Sequence, residues 1–148
     1  MKLVKEINSE LWVHKWPHVR LDMFNNIEMM SVETMDLFNK MCEEAMFTKN
    51  WQHIINSDYR KGDTGFHGKG EAIDTVFYIA EPGDVNLIEQ LIFALRFNFG
   101  GVGFYPYWNT PGLHIDTRAW EVCRALWWYD GKNYHRGDVL FEKLKWIA

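Results

Sequence analysis

The sequence is poor in cysteine, has no long apolar run and carries no excess of positive charge. Only Cys42 and Cys123 occur among the 148 residues, too few for a disulfide framework. Both lie among apolar neighbours and are expected as buried free thiols. No apolar stretch approaches the roughly 20 residues of a membrane-crossing helix, so no membrane partner is expected. The opening residues, Met1 to Asn8, lack the uninterrupted apolar core of a signal peptide. With 16 basic against 20 acidic residues the net charge is −4. That balance argues against a nucleic-acid partner, which normally meets a basic face. No internal repeat, linker or low-complexity segment interrupts the chain.

What is present is a core. The apolar fraction is 47%, with 8 Trp and 10 Phe, and the length fits one domain over 1–148. Residues 1–30 read as an irregular segment packed on that domain. His14 and His18 have helical metal spacing, but Pro17 between them opposes the helix. Residues 32–48 read as a helix: Met35, Phe38, Met41, Cys42, Ala45 and Met46 recur at three- and four-residue steps, after Ser31 as N-cap. Strands are expected at 51–56, 72–80, 113–117 and 125–129, with turns at 81–83 and Asp130-Gly131. Asp84 is expected to cap a second helix with Val85, Ile88, Leu91, Ile92 and Leu95 on one face, and 139–147 to form a short terminal helix. Helices and strands mix without a βαβ rhythm, which predicts an α+β fold with a mainly antiparallel sheet.

The chemistry centres on His67-Gly68-Lys69-Gly70-Glu71-Ala72-Ile73-Asp74. Two glycines disfavour a helix here, and Thr75-Val76-Phe77 beyond them favours strand. The expected arrangement is a loop holding His67 that feeds a strand carrying Asp74. An imidazole and a carboxylate so placed supply two ligands of a catalytic zinc site, and His114 is the candidate third. In a strand His114 and Asp116 face the same way. Asp116 is therefore the candidate general base, with Asp63, Glu71 and Glu121 in reserve. Trp108, in a loop near this site, is a candidate substrate contact. Trp120, Trp127 and Trp128 read as core.

These residues resemble a known family. His67, Gly70, Ala72 and Asp74 match the His-x-x-Gly-x-Ala-x-Asp motif of the zinc peptidases that include D-alanyl-D-alanine carboxypeptidases, phage endolysins and the hedgehog domain. Gly100-Gly101-Val102-Gly103-Phe104-Tyr105-Pro106 and Leu113-His114-Ile115-Asp116-Thr117 are similar to a second block of its murein peptidase branch. Asn56-Ser57-Asp58-Tyr59-Arg60 looks like the family's Ser-Gly-Tyr-Arg segment. The three blocks span the middle half of the chain. The resemblance implies a hedgehog-like peptidase fold, one zinc on His67, Asp74 and His114, and hydrolysis of amide bonds in peptidoglycan stem peptides by a metal-activated water. It implies Arg60, supported by Tyr59, as the group that binds a substrate carboxylate. A monomer is expected, and phage-type release would bring such an enzyme to the wall. One departure matters: the acidic residue that many relatives carry three positions before the last zinc histidine is Pro111 here. A non-catalytic, zinc-stabilised module of the same fold is the rival expectation.

Overall fold

The computed structural model describes residues 1–79 and 83–137. Residues 81 and 82 of the turn expected at 81–83, and the helix expected over 139–147, lie outside the described residues, while Gly83 begins a short strand.

Residues 1–30 form four short 3-10 turns and the single-turn helix α1 (Trp12–Lys15). Trp16 leaves helical geometry, as expected of a residue before proline, so His14 and His18 share no helix. The segment wraps the domain by specific bonds. The Trp16 indole donates to Asp36 at 2.8 Å, the Arg20 amide to His53 Nε2 at 3.0 Å, and the Asn26 amide to Asp58 at 2.7 Å.

Helix α2 (Val32–Lys49) starts at Ser31, whose hydroxyl accepts from the Thr34 amide. Its expected stripe is buried at Met35, Phe38, Met41, Cys42 and Ala45, whereas Met46 is exposed. Asn50, at φ 56°, ends it in the left-handed region, which Asn tolerates better than most residues.

Among the described residues seven strands make one sheet: β1 (Gln52–Ser57), β2 (Ala72–Ile79), the two-residue β3 (Gly83–Asp84), β4 (Gly101–Tyr105), β5 (Gly112–Asp116), β6 (Ala125–Tyr129) and β7 (Tyr134–Arg136). The order is β1-β2-β5-β4-β6-β7, with β3 paired to β2. All pairs are antiparallel except β4 with β6. The fold is α+β, as expected. Residues 101–105, a glycine-rich stretch outside the expected strands, form a buried strand in the middle of the sheet.

Helix α3 (Leu87–Ala94) begins later than expected. Its cap is Asn86, which accepts from the Ile88 and Glu89 amides, while Asp84 lies in β3. The buried side is Gln90, Leu91, Phe93 and Ala94, leaving Ile92 exposed. Gln90 explains the rotation. Its amide accepts from the Phe77 N–H at 2.7 Å and donates to the Phe77 carbonyl at 2.9 Å. The β2–β5 ladder runs only as far as Thr75 with Leu113, so the side chain satisfies backbone groups beyond it.

Strand alternation divides the sheet into two faces. Ile73, Phe77, Leu113, Ile115, Val102, Phe104 and Trp128 join the buried residues of α2 and α3 in one core. The intervening residues, Asp74, His114, Asp116, Gly101, Gly103 and Trp127, form the opposite face.

Candidate metal centre

Asp74, His114, Gly103 and Trp127 stand in register across β2, β5, β4 and β6. His67 reaches this row from the 3-10 turn Phe66–Lys69. Gly70 closes that turn at φ 72°, and a Cβ there would come 2.0 Å from the Met29 carbonyl oxygen. Only glycine satisfies both conditions. The Gly70 carbonyl accepts from the Ser31 amide at 2.8 Å, and the His67 carbonyl from the Arg60 amide at 3.0 Å. The N-terminal segment and the end of β1 thus hold the turn against the sheet.

The ring nitrogens decide what this cluster can bind. His67 Nδ1 lies 2.8 Å from the Asp58 carbonyl. A carbonyl only accepts, so Nδ1 carries the proton and Nε2 presents its lone pair. Nε2 faces Asp74 Oδ1 at 3.1 Å. His114 is arranged in mirror sense: Nε2 donates to Asp116 Oδ2 at 2.8 Å, and Nδ1 faces the same Asp74 Oδ1 at 3.1 Å. In these neutral tautomers two nitrogen lone pairs and a carboxylate converge with no hydrogen between them. Only a cation, a proton or a metal ion, reconciles them. The three ligating atoms lie within 4.8 Å of one another, the one such group of His, Cys, Asp and Glu among the described residues. His67 and Asp74 are buried and the His114 side chain is 11% exposed. A buried His67, Asp74, His114 cluster that could hold a metal ion is therefore present, with the membership expected from the sequence.

The electrostatics agree. Burial by itself would raise the Asp74 pKa, but hydrogen bonds and charge from His114 and His67 outweigh it and bring the value down to about 2. Burial likewise disfavours a charged His114, yet Asp116 and Asp74 reverse that and raise its pKa.

Asp116 occupies a different position from that of a free base. It is fully buried. Its Oδ1 accepts from the Arg118 amide at 3.2 Å and from Arg118 Nε at 2.8 Å; its Oδ2 accepts from Arg118 Nη2 at 2.7 Å and from His114. Burial pushes its pKa up, but Arg118 and His114 more than offset this and hold it at about 2. Both oxygens of the residue expected as general base are therefore engaged by donors, Arg118 on both and His114 on one. In metal sites a carboxylate bonded to the far nitrogen of a histidine fixes the tautomer and direction of the ring.

The other expected residues are distributed around the centre. Arg60 is half exposed, with its guanidinium 3.6 Å from Asp63. Tyr59 packs against the core. Trp108 stacks on Tyr105 with ring centroids 3.6 Å apart. Asp63 accepts from the Gly65 amide at 2.7 Å. Glu71 and Glu121 line a cavity of about 900 Å³ with Phe66 and Arg118. Cys42 is buried but Cys123 is exposed, against expectation. Of the tryptophans expected in the core only Trp128 is buried there. Trp127 stands 5.1 Å from the His114 ring. Strand alternation was the available signal, since 127 and 128 must face opposite ways. Asp58 and Arg118 carried no sequence signal for the contacts they make.

Fold and site thus define an α+β domain with a buried two-histidine, one-aspartate centre. Comparison with protein-family models, with curated proteins and with solved structures finds no match.

Proposed function

We propose that the chain is a zinc-dependent peptidase acting on peptidoglycan stem peptides. The observation that carries this reading is the convergence of His67 Nε2, His114 Nδ1 and the Asp74 carboxylate, with the far nitrogen of each ring held by the Asp58 carbonyl or Asp116. Two neutral imidazoles and one carboxylate suit zinc, and three protein ligands, one short of a closed structural set, are the pattern of catalytic sites. The motif resemblance supplies the substrate class.

A zinc ion held there would supply a Lewis acid that polarises a carbonyl and acidifies a water. Asp74 contributes a single negative charge, so the dication would keep a net charge of +1. Asp116 and the Asp58 carbonyl keep the rings turned inward. Arg60 follows β1, and its amide is bonded to the His67 carbonyl. In this reading its exposed guanidinium takes a substrate carboxylate through two parallel hydrogen bonds. With Asp116 committed to Arg118 and His114, the proton acceptor is sought among Asp63, Glu71 and Glu121.

That same commitment favours a second reading. Asp74 and Asp116 are the carboxylates seen bonded to the two histidines, and neither is spare. A domain that keeps zinc for stability and binds its ligand without cleaving it would look like this. The test is digestion of purified cell wall and defined muropeptides by the zinc-loaded protein, alongside His114→Ala. Release of new amines by the wild type alone supports the peptidase. Stoichiometric zinc with no cleavage of any stem peptide supports the binding module. Absence of zinc binding overturns both.

A further inference from the structure

Three parts of the centre meet on Arg118. Its Nε and Nη2 hold the two oxygens of the fully buried Asp116 at 2.8 and 2.7 Å. Its guanidinium carbon lies 4.2 Å from the centroid of Phe66, the residue before His67, and 5.3 Å from that of Trp127. Trp127 in turn stands 5.1 Å from the His114 ring. The backbone makes room for this placement. A Cβ on Gly100 would come 1.8 Å from the Arg118 carbonyl oxygen and 2.7 Å from its Cγ, and one on Gly101 would come 2.3 Å from Asp116 Oδ2.

The consequence is directional. A carboxylate free to rotate could meet His114 with either oxygen and from more than one direction. Gripped along both oxygens, Asp116 offers His114 one acceptor in one place. Nε2 must donate to it, and Nδ1 is left as the ligating atom. A lysine would keep the charge but lose the planar fork that fixes both oxygens.

We propose that Arg118 is a positioning residue of the metal centre: by locking Asp116 it commits His114 to present Nδ1 to the ion, on the side of the His67 turn. This rests on the metal reading above and is independent of whether peptides are cleaved. The test is zinc affinity, measured by competition with a chelating dye, for wild type, Arg118→Lys, Asp116→Asn and the double variant. Thermal unfolding of each apo protein and ¹⁵N NMR of the histidines in the zinc-loaded forms accompany it.

Each single variant should bind zinc about 10- to 100-fold more weakly, the usual cost of losing an outer-shell partner. The double variant should bind no more weakly than the poorer single, because both cut one tether. Zinc-loaded wild type should show His114 protonated at Nε2. An Arg118→Lys Kd within twofold of wild type, or losses that multiply in the double variant, would overturn the role. So would a His114 protonated at Nδ1 in zinc-loaded wild type, a result that needs no variant to fold. A wild type that takes up no zinc would overturn the metal reading itself, and this role with it.

Discussion

Asp74 and Asp116 have the same side chain, similarly depressed pKa values and a common neighbour in His114. Their hydrogen-bond partners nevertheless differ in kind. Asp74 Oδ1 meets two imidazole nitrogens that present lone pairs, whereas the oxygens of Asp116 meet donors. The distinction is testable by rescue. Asp116→Asn should lower turnover at limiting zinc and recover most of it at saturating zinc, because an orienting residue acts through occupancy. Turnover that stays about a hundredfold down at full occupancy would return Asp116 to the role of base, for which such a loss is typical. Arg60 gives a second test. Its backbone is tied to the His67 turn while its guanidinium stays half exposed. Arg60→Lys should raise KM for a carboxylate-bearing muropeptide, with about 1–3 kcal/mol lost in kcat/KM, and leave zinc content unchanged. Wild-type kcat/KM in that variant would make Arg60 a surface residue.

At the scale of the element, β4 shows why the Gly-Gly-Val-Gly stretch is a strand rather than a turn. Its buried Val102 and Phe104 alternate with Gly101 and Gly103. The large residues face the core, and the glycines face the centre, where Asp116 and Trp127 fill the space that a Cβ would take. Gly101→Ala should therefore force the Asp116 carboxylate aside. We expect a stability loss of about 1–3 kcal/mol from overpacking, seen as a lower urea midpoint, together with weaker zinc binding. An Ala variant with wild-type zinc affinity would mean that Asp116 moves without disturbing His114. Helix α3 carries a complementary lesson. Its apolar residues permitted more than one buried face, and a polar residue, Gln90, chose among them by bonding to Phe77.

At the scale of the molecule, the irregular first thirty residues act as a strap that reaches the sheet, α2 and the metal turn. One of its attachments responds to pH. The Arg20 amide donates to His53 Nε2 at 3.0 Å, which requires that nitrogen to be unprotonated. Burial, aided by the Arg20 charge, lowers the His53 pKa from 6.5 to about 4. A depressed pKa means that the unfolded chain takes up the proton first. The stabilising contribution is complete above about pH 6.5 and is lost as pH falls towards 4, amounting to about 3 kcal/mol. Urea denaturation at pH 7 and pH 4.5 should reveal this slope, and His53→Gln should flatten it. An unchanged slope in that variant would place the acid-sensitive step elsewhere.

The sequence by itself determined the features that depend on neighbours along the chain. Two-residue alternation placed His114 and Asp116 on one face, the glycines of 67–74 put His67 on a turn ahead of the strand with Asp74, and the stripe of α2 identified a buried face. The same local logic named the three residues of the candidate metal cluster. It could not assign Asp116, because a carboxylate is a base, a ligand or an orienting group according to what surrounds it. Here those surroundings are Arg118 beside it, Gly101 across the ladder and His114. Nor could it show that the Asp58 carbonyl selects the His67 tautomer, that Cys123 faces solvent, or that Asn86 caps α3. Only the tertiary structure decided these, because burial and hydrogen-bond partners arise when separate strands and loops pack together.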